Sequence, residues 1–168
     1  MYGRDLVHNN RGRTARRSGA VRFLKQDSRS RHVTHLPWGL MSIFIVQLGT
    51  PRKASEGLRL GTVRRPPRGV LKADFARLDF YDVWFPNLSP SSELVKEALS
   101  AADQRGWTAF SRKFRREMSE PDRIRELDVL AALSHQTNFS VGCYCENENR
   151  CHRSLLRKLL MERGADVL

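Results

Sequence analysis

The chain has 168 residues, 30 Lys and Arg against 18 Asp and Glu, a net charge of +12 and 40% hydrophobic residues. That length suits one domain with a real core and leaves little for a second. Three clustered cysteines exclude a disulfide framework in favour of free thiols in a reducing compartment, the cytoplasm.

The charge invites a nucleic-acid partner, but it is unevenly spread. Residues 1–40 carry eight Arg and Lys25 against Asp5 and Asp27, which is +7 of the total and leaves +5 for the rest of the chain. This stretch is rich in Arg, Ser and Gly and has no helical or strand period, a composition that cannot offset the entropy of ordering. We expect a disordered basic extension over 1–40 and a folded domain over 41–168. Because Met41 is followed at once by strand-like sequence, the extension reads as an over-extended gene start. A transit peptide or a nucleic-acid-binding tail are the alternatives.

The run from Met41 to Leu48 is too short to span a bilayer, so no membrane partner is expected. Ser42 to Gly49 reads as a buried strand closed by Gly49-Thr50-Pro51-Arg52. Leu58 to Val63 makes a second strand, followed by Arg64-Arg65-Pro66-Pro67-Arg68-Gly69. Two prolines fix φ there and hold three arginines on an extended loop. Tyr81 to Phe85 is a third strand. Ser89 is the expected N-cap, with Pro90 at the first helical position, of a helix reaching about Ala102. Trp107, Phe110, Phe114 and Met118 then give a second helix its apolar stripe. A cap-like Ser119-Glu120-Pro121-Asp122 opens a third, with Ile124, Leu127, Leu130, Ala131 and Ser134 inward and an end near His135 or Gln136.

The last stretch, Phe139 to Gly164, concentrates the chemistry. Phe139 to Cys145 reads as a buried strand, Glu146 to Arg150 as a polar loop, and Leu155, Leu156, Leu159 and Leu160 as one face of a helix capped by Gly164. All three cysteines, Cys143, Cys145 and Cys151, fall within nine positions here. A helix starting near Asn149 or Cys151 aims unpaired N–H groups and its positive dipole end at the loop, which favours an anion and lowers a thiol pKa. Cys151-His152-Arg153 sits on that first turn.

A strand ending in Cys143, an acidic-polar loop with Glu146, and Cys151-His152-Arg153 opening an amphipathic helix resemble the domain-of-unknown-function family 488, the YeaO-like proteins. The resemblance extends to Gly57-Leu58-Arg59, to Arg65, Pro67, Arg68 and Gly69, to Ser89-Pro90-Ser91-Ser92-Glu93-Leu94, and to Phe110 and Phe114. It covers residues 41–168 and implies a fold rather than a reaction.

Several chemistries compete for these residues. Cys151 beside His152 and Arg153 would be a nucleophile or redox thiol, and these three are the candidate catalytic residues. The bland alternative is a small residue packing the loop. Arg59, Arg65, Arg68 and Arg153, if convergent, form an anion-binding guanidinium cluster. Otherwise the arginine loop is a solvated turn. Glu146 and Glu148 could orient His152 or Arg153, while His135 reads as a cap or surface residue. A Cys3His set of Cys143, Cys145, Cys151 and His152 would suit zinc. However, Cys143 and Cys145 are read as pointing to opposite faces of a strand, so no metal and no cofactor is expected.

The order βββααα then βα predicts a single α/β domain, a mainly parallel sheet flanked by helices in a Rossmann-like layered architecture. The expected function is that of a cytosolic protein with a pocket for a small phosphate- or nucleotide-like anion, with an enzymatic role open. A nucleic-acid-binding module and a small zinc-binding protein are the alternatives.

Overall fold

Four short strands form one parallel sheet in the order β1-β4-β2-β3: β1 Ile43–Gln47, β2 Leu58–Gly61, β3 Val83–Trp84 and β4 Phe139–Cys143. The computed structural model describes residues 41–100 and 103–168. The expectations for residues 1–40, and for the end of the first helix at Ala102, lie outside the described residues. Ile43 pairs with Phe139 and Leu60 with Val141, so the apolar positions of the three long strands share a face. Among the described residues four helices, α1 Ser92–Ser100, α2 Gln104–Glu117, α3 Pro121–Leu133 and α4 His152–Met161, complete the α/β domain.

All four helices contribute to one core. Leu94, Phe110, Phe114, Leu127, Leu130, Leu156 and Leu160 pack with Ile43, Leu60, Phe139 and Val141. In α2 the expected stripe is the buried one, and its rings stack in series, Trp107 on Phe110 at 5.1 Å and Phe110 on Phe114 at 6.1 Å. The other sheet face carries Gly61 and Gly142, where a Cβ would collide with Tyr81 and Leu48 respectively. There Leu48, Val63 and Tyr81 form a second cluster with Cys143 and Cys151, supported by Phe75 and Phe80, and no residue of α1, α2 or α3 takes part.

The first helix starts later than expected. Ser89 is fully buried and its hydroxyl donates to the Pro86 carbonyl at 2.7 Å. Arg64 takes the carbonyls of Ser89 and Pro90 at 3.0 and 2.9 Å, so the first helical bond runs from Val95 N–H to Ser91 C=O. The cap is therefore Ser91, whose Oγ accepts from Leu94 N–H at 3.2 Å. Pro90 thus precedes the cap instead of filling the first helical position, whereas α3 does open on Pro121. Ser119 does not cap α3, since its hydroxyl turns back to the Arg115 carbonyl. That helix stops at Leu133, and β4 stops at Cys143, two residues short of the expected Cys145. Gly164, at φ +80°, ends α4 with Ala165 N–H bonded to the Leu160 carbonyl. Among the described residues no helix is long and apolar enough to cross a membrane.

Candidate functional site

Parallel strands bring their carboxyl ends to one edge, and α4 starts there directly after β4. Cys143 ends β4, Cys145 follows in the loop, a short 3-10 turn spans Glu148–Arg150, and Cys151 is the extended N-cap residue of α4. The three sulfurs all lie within 4.8 Å of one another, and Cys143 Sγ is 3.6 Å from Cys145 Sγ. The expected divergence of Cys143 and Cys145 is therefore wrong. Residues two apart in extended chain share a face, and Cys145 lies beyond the strand's end.

Cys151 and Cys143 are buried and Cys145 is exposed, so the sulfur that meets solvent is not the one in the Cys-His-Arg triplet. As thiols the cluster divides its roles. Hydrogen bonds from Cys143 and then Cys151 hold the Cys145 thiol far below its ordinary range against the opposing effect of burial, with the Arg153 charge adding to the depression. The hydrogen bond to Cys145 is the main reason Cys143 rises to about 11. Cys151 is pushed up by its bonds to Cys143 and Cys145 and by burial.

His152 is held on three sides. Its Nε2 is 2.7 Å from the Thr62 carbonyl, its ring meets the edge of Phe114 at 5.7 Å, and its Nδ1 is 3.7 Å from Cys151 Sγ. Burial lowers its pKa to about 4. A neutral ring facing a carbonyl must carry its proton on Nε2, leaving the Nδ1 lone pair toward Cys151. The two neighbours in sequence do touch, because Cys151 is extended and only His152 is helical.

Arg153 is buried, and its Nη2 donates to the carbonyls of Cys145 and Glu146 at 2.7 and 2.9 Å, which shapes the cysteine loop. Its Nε is buried without a partner among the described residues. Glu146 contributes that carbonyl, while the Glu148 carboxylate pairs with Arg157 at 2.9 Å, away from the orienting role on His152 or Arg153. His135 pairs at the surface with Asp166.

The arginines separate. Arg59 is fully buried in the middle of β2, with its Nε on Glu56 at 3.1 Å and its Nη1 on the carbonyls of Thr50 and Asp79 at 3.0 and 2.6 Å. The structure does not bring it to the cysteine loop; it ties down the chain that crosses the sheet. Arg65 and Arg68 are exposed, with no side-chain partner among the described residues. Their loop is joined to the cysteines by Tyr144, whose hydroxyl donates to the Arg65 carbonyl at 3.3 Å. Beside it a cleft of about 330 Å³ is lined by Pro66, Lys72, Phe75, Tyr81, Asp82 and Trp84. Sequence reasoning singled out neither Thr62 nor Tyr144. The Cys-x-Cys spacing, read with the two-residue period of a strand, was the available signal for Cys145.

A protein-family model described as DUF488-N3a, the active DUF488-N3 subclade, matches residues 43–164. No curated protein and no solved structure matches the chain.

Proposed function

The chain belongs to the DUF488 family, and on that premise we propose that its working site is the carboxyl edge of the sheet and that the site takes a small phosphate- or nucleotide-like anion. The observation that carries this reading is the Tyr144 hydroxyl on the Arg65 carbonyl, which docks the arginine loop against the cysteine loop. Arg65 and Arg68 supply the exposed cations, the N-terminus of α4 adds its dipole, and Arg153 holds the loop between them. The neighbouring cleft gives a nucleotide-sized ligand room beside these charges. Arg59 is outside the anion set because Glu56 and two carbonyls occupy it.

The matched subclade's description as active favours an enzymatic site. Cys145 is then the sulfur that faces the ligand, with His152 and Arg153 shaping its surroundings. Work in the cytoplasm fits thiols that must stay reduced.

Thermal melts of the full chain with inorganic phosphate test the reading. Phosphate at about a hundred times its dissociation constant should add roughly 2.7 kcal/mol, and the Arg65→Ala/Arg68→Ala double variant should lose that stabilisation. An equal shift in the double variant, or no shift at any phosphate concentration, refutes it. Tight, salt-sensitive binding of single-stranded RNA or DNA without a phosphate response would put a nucleic-acid partner first.

A further inference from the structure

We propose that Cys143, Cys145 and Cys151 together bind one thiophilic divalent metal ion of the zinc type. The sulfurs come from two elements, the end of β4 with its loop and the cap of α4, and they gather at one point with no disulfide among them. Zinc–sulfur bonds of about 2.3 Å in a tetrahedron put sulfurs about 3.8 Å apart. The Cys143–Cys145 separation of 3.6 Å already has that length. No pair exceeds 4.8 Å, so closing the triangle on an ion takes movements of about 1 Å.

The surroundings fit the charge and the geometry of such a centre. Binding releases to solvent the protons that Cys143 and Cys151 carry as the sulfur–metal bonds form, and three thiolates with a divalent ion leave one net negative charge. Arg153 offsets it, since its guanidinium is buried against the carbonyls of Cys145 and Glu146 and its Nε is without a partner among the described residues. Packing from Val63, Tyr81 and Leu48 closes one side, while Cys145 opens the other to solvent. The fourth position is therefore open to water or an anion, as in catalytic rather than structural zinc sites. His152 stands next to the centre, with its ring fixed on the Thr62 carbonyl and its Nδ1 3.7 Å from Cys151 Sγ. This inference shares Cys145 and Arg153 with the phosphate reading, but the phosphate response rests on Arg65 and Arg68 and needs no ion, so the two can fail separately.

Full-length protein purified without chelator under reducing conditions should contain about one zinc per chain by elemental analysis, and cobalt(II) substitution should give intense thiolate-to-metal charge-transfer absorption. Cys145→Ser, an exposed position that leaves the core intact, should lower metal content at least ~10-fold, and Cys151→Ser likewise. Circular dichroism checks that each variant is folded. Metal-poor protein that gives no charge-transfer band with cobalt(II) overturns the proposal, as does full metal content in the folded Cys145→Ser variant.

Discussion

Glu56→Ala is expected to destabilise the domain by about 3–5 kcal/mol, because it leaves the Arg59 charge buried without its counterion. Arg59 is fully buried and Glu56 nearly so, and the carboxylate also caps Lys53 N–H at 2.9 Å. The pair braces the chain that leaves β1 at Gln47, passes through Thr50 and enters β2 through Gly57. At Gly57 φ is +66° and a Cβ would run into the Asn138 carbonyl. Urea unfolding measures the effect as a lowered midpoint at unchanged slope. The double change Glu56→Ala/Arg59→Met should recover much of the loss, since it removes the stranded charge. A loss below about 1 kcal/mol in the single variant would mean that the arginine finds water or another anion, and that its place in the scaffold is overstated.

Phe114→Ala is expected to cost a similar amount, about 3–5 kcal/mol for a large buried aromatic. Phe114 is fully buried, stacks on Phe110 with 9° between the planes and meets the His152 ring edge-on. The cavity would therefore open beside the site, leaving the His152 ring with the Thr62 hydrogen bond and the Cys151 contact. Phe114→Leu should recover part of the stability. The His152 ring resonances should broaden in Phe114→Ala relative to the parent, and unchanged ring resonances would show that Phe114 serves the core alone.

The elements that could be read from the chain are those whose burial follows a simple period. Trp107, Phe110, Phe114 and Met118 repeat at helical spacing, and the core of α2 is built on them. Phe139 to Cys143 is uniformly buried because β4 lies between β1 and β2. Caps were harder, because they depend on which carbonyls a distant residue captures. Arg64 holds Ser89 and Pro90 out of α1, and nothing near Ser89 in sequence signals it. The gathering of the candidate residues was legible, but not which of them is exposed or paired. Cys151, His152 and Arg153 do gather at the head of α4, yet the exposed sulfur is Cys145, and Arg59 turns to a carboxylate three residues before it. Such pairings are set by tertiary contacts, which a local motif does not encode.

The proposed anion lies between the arginine loop and the cysteine loop, and amide chemical-shift mapping of the full chain during a phosphate titration checks that placement. The perturbed amides should cluster in residues 64–69 and 143–153, the two loops joined through Tyr144 and Arg65. Perturbations confined to an arginine-lined hollow elsewhere, at Arg105, Thr108, Ala109 and Arg112, or none at saturating phosphate, would contradict it.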